Sequence, residues 1–298
     1  MIRLEDTSGG AVAAAIASER HRMGSSATGM VLTLLILADE ESQADATAAA
    51  VGAARQHPMR IVTLIPRPGK DTRLDADISV GGDDGPGEVA VLRLRGLLSE
   101  HANSVAVPLL LSDTPVVAYW PGVAPDIPAD DPIGRHAQRR ITDCAAAPDI
   151  ARELEARRAG YRPGDTDLAW TRVTPWRSVL ATALDQRPGK VRRAEVSAED
   201  GNPSPLLLAA WLGRRLNCTV DHRVSTGPGI TEVRLETDAG DITVSRSDGI
   251  HAVLSRPGNP DSRVALARRD LADLLSEELR RLDPDEVYGE VISHVETA

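Results

Sequence analysis

Phenylalanine is absent from the 298 residues, tyrosine occurs three times and tryptophan four times. Lysine occurs only as Lys70 and Lys190, so arginine carries nearly all the positive charge. The scarce residues are those with A/T-rich codons, which points to a G+C-rich bacterial genome and leaves the core to be built from Leu, Val, Ile and Ala. Cysteine is scarce too. Cys144 and Cys218 form no CxxC and stand in no Cys/His spacing of the kind zinc requires, so a structural zinc site is excluded and two free thiols are expected. The formal net charge of −10 opposes binding to nucleic acid or to an anionic membrane, since both need a basic face to displace counterions. Long apolar runs are missing as well. The longest, Met30 to Ala38, falls far short of the ~20 residues of a membrane span. Met1 to Glu5 do not begin a secretory signal, so a cytoplasmic location is expected, with no nucleic acid and no membrane as partner.

What is present reads as ordinary globular protein. At about 150 residues per domain, the length suggests two domains. Asp6 and Thr7 are candidate caps for a first helix carrying Val12, Ala15 and Ile16. The runs Val31 to Ala38 and Arg60 to Ile65 flank an alanine-rich helix, Ala44 to Arg55. That is a βαβ unit, and its fully apolar strands predict a parallel sheet covered on both faces. Leu74, Ala76, Ile78 and Val80 alternate with polar residues as a half-buried strand should, a further strand is expected over Glu88 to Leu94, and Gly96 to Leu111 reads as mostly helical. Val116 to Trp120 reads as another strand, leading into a loop rich in Pro, Gly and Asp over 122–132. Proline and glycine then mark helices over Asp149 to Ala159, from Thr174 to before Pro188, and from Ser204 to about Leu216. From Gly229 to Leu266, short strands turn at Asp238-Ala-Gly240 and Asp248-Gly249, giving an antiparallel meander. Leu271, Leu274, Leu275, Leu279 and Leu282 form the stripe of a helix suited to cover it. The expected fold is a mostly parallel α/β domain over 1–163, including the loop and a bridging helix, followed by an α+β domain over 164–298.

Chemistry is harder to find. A parallel sheet of this kind holds ligands at the carboxyl ends of its strands. Here, however, the first strand leads into its helix through Asp39, Glu40 and Glu41, with no glycine to admit a phosphate. The cluster Gly81 to Gly87 lacks both a dinucleotide fingerprint and the lysine of a P-loop. No G-x-S-x-G occurs, neither cysteine neighbours a histidine, and the seven histidines are scattered singly. The acid pairs Asp130/Asp131 and Asp165/Asp167 lie beside turns and helix starts, where capping accounts for them. No catalytic residue, metal ligand or cofactor is assigned.

One strip resists so plain a reading. Tyr119 and Trp120 meet the proline-rich loop, and Arg135, His136, Arg139 and Arg140 follow it in an otherwise acidic chain. Trp, Tyr and Arg concentrate binding energy at protein interfaces, so the strip is a candidate anchor for a partner. The competing readings are that the strip holds the protein's own domains together, that Arg139 and Arg140 form a phosphate fork in a sugar-phosphate or nucleotide sensor, or that the scattered acids serve a hydrolase.

Four strings then suggest a family: VPLLLSDTPVVAYWP from Val107 to Pro121, DPIGRHAQRRITD from Asp131 to Asp143, PGDTDLAWTR from Pro163 to Arg172, and RLDPDEVYGE from Arg281 to Glu290. With them the chain resembles, over essentially its whole length, the glucose-6-phosphate dehydrogenase assembly proteins known as OpcA, departing where Tyr119 stands in place of a second Trp. The resemblance implies an accessory protein without catalytic residues that binds glucose-6-phosphate dehydrogenase, promotes its assembly and raises its activity in the oxidative pentose phosphate pathway. On that expectation Tyr119, Trp120, Arg135, Arg139, Arg140, Asp165, Asp167 and Trp170 form the partner contact.

Overall fold

In the computed structural model, which describes residues 1–23, 29–81, 87–185 and 189–296, the continuous apolar runs become the centre of an eight-stranded sheet. Its strands are β1 (Ile2–Leu4), β2 (Leu32–Leu37), β3 (Met59–Arg67), β4 (Arg73–Val80), β5 (Glu88–Arg95), β6 (Val116–Trp120), β7 (Arg139–Thr142) and β8 (Asp165–Asp167), in the spatial order β1-β4-β5-β3-β2-β6-β7-β8. Strands β5, β3, β2, β6 and β7 are parallel, whereas β4 and β1 join antiparallel at one side. The first five positions of β2 are buried because both faces of a central parallel strand are covered. In β4, Leu74, Ala76, Ile78 and Val80 face the core, as the alternation predicts. Helix α1 (Gly9–Arg22) adds Val12 and Ile16. Its cap is Ser8, whose hydroxyl accepts the Ala11 N–H at 3.2 Å, in place of Asp6 or Thr7.

By internal contacts the chain forms two units that interleave along the sequence. The first comprises Met1–Ala146, Arg162–Thr166 and Asp270–Pro284; the second comprises Ala147–Tyr161, Asp167–Arg269 and Asp285–Ala298. Helix α2 (Gln43–Ala54) connects β2 to β3. In place of one long helix, Gly96 to Leu109 holds two 3-10 turns around the short α3 (Ala102–Ala106), and Pro108 belongs to the second turn.

The second unit contains α4 (Ile150–Gly160), α5 (Leu168–Arg172), α6 (Thr174–Leu184) and a six-stranded sheet. Helix α6 starts with Pro175 in its first turn and buries Trp176, Leu180 and Ala183. Strand β9 (Val191–Ala198) runs through α7 (Ser204–Leu216) to the parallel β10 (Thr219–Val224), a βαβ crossover. The meander follows as β11 (Ile230–Thr237), β12 (Gly240–Ser245), β13 (His251–Arg256) and β14 (Asn259–Ala265), in the order β10-β9-β11-β12-β13-β14. Helix α7 packs on β9 and β10.

One expectation is corrected here. The leucine stripe forms α8 (Leu271–Arg280), but this helix belongs to the first unit and lies on α2 instead of covering the meander. Close approach explains the choice: a Cβ at Gly52 would stand 2.9 Å from the Ala272 methyl, and His57 Nε2 is 3.0 Å from the Ser276 carbonyl oxygen. Only an alanine- and glycine-rich helix lets a neighbour so near. The last helix, α9 (Glu286–Ile292), returns to the second unit.

Candidate functional site

The parallel strands of the first unit have the doubly wound order, which reverses direction between β2 and β6, where such sheets offer a ligand crevice. The side chains after β2 are unsuited to a phosphate. Asp39 Oδ1 accepts the Ser42 hydroxyl at 2.7 Å and the backbone N–H groups of Ser42 and Glu41 at 2.8 and 3.1 Å. These bonds, led by the Ser42 hydroxyl, hold the Asp39 carboxyl below its ordinary range. Glu40 is likewise lowered, by its hydrogen bonds from Arg67. Two anions therefore stand where a nucleotide site needs N–H donors. Of the glycine cluster, residues 82–86 lie outside the described residues.

The aromatic and guanidinium strip proves to be interior. Tyr119 and Trp120 are buried within β6. Arg139 and Arg140, expected on an exposed segment, are consecutive residues of the buried strand β7. Arg139 is 4% exposed; it pairs with Glu278 of α8 and donates from Nη1 to the Asp283 carbonyl at 2.9 Å. Arg140 pairs with Asp165 and donates to the carbonyls of Ala137 and Pro163 at 2.8 and 2.6 Å. Asp165 also accepts the Arg162 N–H at 2.7 Å. In the second unit Asp167 caps α5 through the Ala169 N–H at 2.8 Å. Trp170, 1% exposed, donates from Nε1 to Asp285 at 2.8 Å beneath the Arg177 guanidinium, 3.7 Å from the ring centroid. Of the eight predicted contact residues only Arg135 is exposed. The other seven are buried, and Arg139, Arg140, Asp165 and Trp170 tie segments of their own unit to one another, which corrects the reading of these residues as an exposed strip.

These commitments also engage the residues named for the two chemical alternatives. Arg139 and Arg140 are not a phosphate fork, because each is matched to a carboxylate of this chain. Asp131 accepts the N–H groups of Ile133 and Gly134 at 2.8 and 3.2 Å, and Asp165 and Asp167 are engaged as above. Among the described residues no group of three or more His, Cys, Asp or Glu could hold a metal ion, and no helix is long and apolar enough to cross a membrane.

Both cysteines are free thiols. Cys144 is buried, and burial pushes the Cys218 thiol above its ordinary value. A raised pKa keeps Cys218 protonated at neutral pH, so alkylation of the native protein at pH 7 is expected to be slow and to accelerate as pH rises. Denatured, non-reduced protein should titrate two thiols; a count of zero contradicts this assignment.

What the buried strip does offer is a shaped surface. The 121–137 segment leaves β6, forms 3-10 turns at Pro128–Asp130 and Gly134–His136, and enters β7. Ala124, Ile133 and Ala137 anchor it in the same core cluster as Trp120. Gly134 is packed so closely that a Cβ would fall 1.7 Å from the Pro128 carbonyl oxygen. Above these anchors Val123 is 62% exposed, and Arg135 and His136 face solvent. Sequence inspection passed over Val123, although an apolar residue in a loop otherwise rich in Pro, Gly and Asp is itself a signal.

The described residues thus form two mixed α/β units, and in the first of them a pinned loop holds Val123 exposed. Residues 50–159 match the family model described as the glucose-6-phosphate dehydrogenase subunit N-terminal domain, and residues 163–292 match the one described as the C-terminal domain of that subunit. The chain belongs to the OpcA family of glucose-6-phosphate dehydrogenase assembly proteins. No curated protein matches it. Among solved structures, a 3-ketoreductase from Actinomadura kijaniata is similar at 12% identity and a TM-score of 0.47, over 88% of this chain and 94% of that one. An oxidoreductase from Sinorhizobium meliloti is similar at 11% identity and a TM-score of 0.45, over 88% and 86%. Neither likeness bears on what this chain does.

Proposed function

We propose that this chain is a non-catalytic partner of glucose-6-phosphate dehydrogenase that binds the enzyme and promotes its assembly into an active oligomer. The observation that carries this reading is membership of the assembly family through both of its domains, 50–159 and 163–292. The acidic switch point and the internally matched arginines agree with it, since each removes a site for chemistry on a small molecule. A protein that binds the assembled enzyme better than its separated subunits shifts the equilibrium by that difference, about 1.4 kcal/mol for each factor of ten. The contact is assigned to the 121–137 loop, with Val123 as apolar centre and Arg135 and His136 beside it. A loop fixed from beneath loses little entropy when it binds.

The double substitution Val123→Asp with Arg135→Glu tests the assignment. Both side chains are exposed, so unfolding stability is expected to change by no more than about 0.5 kcal/mol per site. Affinity for purified dehydrogenase, measured by calorimetry, should fall at least tenfold, in the range of a residue contributing about 2 kcal/mol. Unchanged affinity moves the contact elsewhere on the chain. Failure of the unaltered chain to bind the dehydrogenase at all sinks the functional proposal itself.

A further inference from the structure

Among the described residues the two sheets end in four strands, β1 and β8 in the first and β10 and β14 in the second. The edge of a sheet offers unpaired N–H and C=O groups to any other chain, and proteins blunt it by shortness, proline, bulges or charge. Strands β1 and β8 are three residues each. Strand β14 contains Pro260, which has no N–H to give, and its register against β13 shifts beyond Leu254. Strand β10 is neither short, nor interrupted by proline, nor bulged. Its six residues, Thr219–Val224, stay in unbroken register with β9, and none of them is buried. Val224 is 61% exposed.

The free edge of β10 has a defined set of donors and acceptors. Just past its end, the Ser225 N–H donates to the Ala198 carbonyl at 2.7 Å, so Ser225 turns its backbone toward β9. Backbone direction alternates along a parallel strand. Thr219, Asp221 and Arg223 therefore also turn toward β9, and the N–H and C=O groups of Val220, His222 and Val224 point outward. The side chains of these three lie on the same face as their β9 partners Ala194, Val196 and Ala198, all buried. On the opposite face Asp221 pairs with Arg193, whereas the Arg223 side chain, 73% exposed, comes no nearer than 4.0 Å to Glu195.

A second copy of the same strand complements this edge under a two-fold axis, the commonest symmetry of self-association. Antiparallel pairing sets outward-pointing residues opposite one another, and each such pair exchanges two hydrogen bonds. With the axis at His222, Val220 stands opposite Val224 of the second copy and Val224 opposite its Val220, which makes two apolar β-branched pairs, while His222 meets its own copy. On the other face Asp221 falls opposite Arg223 of the second copy, and Arg223 opposite its Asp221. Each Arg223 thereby gains a directly opposed carboxylate. Moving the axis by one residue sets Asp221 against Asp221 or Arg223 against Arg223, and like charges directly opposite are unfavourable. The charges on β10 thus favour one register of self-pairing and disfavour its neighbours.

We propose that β10 pairs antiparallel with β10 of a second copy of this chain, joining two six-stranded sheets edge to edge about an axis at His222. A contact made by one strand pair is small, so the dimer exchanges with monomer. It stands whether or not the chain binds the dehydrogenase, and its test uses the purified full chain alone. Sedimentation equilibrium over about 1–500 µM should show a concentration-dependent monomer–dimer equilibrium. Arg223→Asp and Asp221→Arg each set like charges opposite one another twice, and each should weaken association by about tenfold or more. Both side chains are more than a third exposed, so the melting temperature should change little. An equimolar mixture of the two variants should recover the dimer, because every charge then meets its opposite in the heterodimer. Amide exchange at Val220, His222 and Val224 should slow as concentration rises, while that at Asp221 and Arg223 stays as it was. Monomer throughout the concentration range, a dimer unaffected by either substitution, or no recovery in the mixture overturns the proposal.

Discussion

Replacing Arg139 by Glu is expected to destabilise the first unit by about 3–5 kcal/mol, because it removes one member of a buried ion pair and sets a second carboxylate against Glu278. Had Arg139 been a surface anchor, the same substitution would abolish partner binding and leave the melting temperature unchanged. Urea unfolding, followed by hydrogen exchange to identify which residues open, distinguishes the two. Loss of protection should centre on β7 and α8. The paired variant Arg139→Met with Glu278→Leu should recover most of the loss, since a buried pair replaced by apolar side chains of similar volume is often neutral. Recovery should remain incomplete, because the Asp283 carbonyl loses the Nη1–H it accepts. A stable Arg139→Glu protein would show that the strip is surface after all.

Trp170→Ala is the second large effect, expected at about 3–5 kcal/mol and confined to the second unit. The indole is among the largest fully buried side chains. Its removal opens a cavity beside Tyr288, whose ring centroid is 6.1 Å away, takes the cation–π partner from Arg177, and leaves Asp285, the cap of α9, without the indole N–H. Trp170→Phe keeps much of the volume and the aromatic face but loses the donor and part of the ring, so it should cost less than the alanine variant, about 1–3 kcal/mol. Equal stability of the alanine variant and the unaltered protein, by denaturant midpoint, contradicts this role.

Where the sequence was legible, one local signal sufficed. The apolar run of β2, the alternation in β4, Pro175 at the start of α6 and the Asp-Gly turn before β13 each report a backbone state with little help from distant residues. Strand β7 was illegible because Arg-Arg-Ile-Thr has the composition of a solvated loop. Its burial becomes favourable only once Glu278 and Asp165, both remote in sequence, supply the counter-charges. The destination of α8 was hidden for a related reason: a leucine stripe declares that a face must be covered, while Gly52 and Ala272 decide what covers it.

Composition, periodicity and turn chemistry by themselves determined the class of fold and most of the elements, while the family came from the resemblance of four extended strings. They act over a few residues, so the linear order preserves them. Tertiary structure alone decided which charges are inside and which loop is left facing solvent. Those outcomes depend on whether a counter-charge or a Cβ arrives from a distant part of the chain, and proximity of that kind exists only after folding.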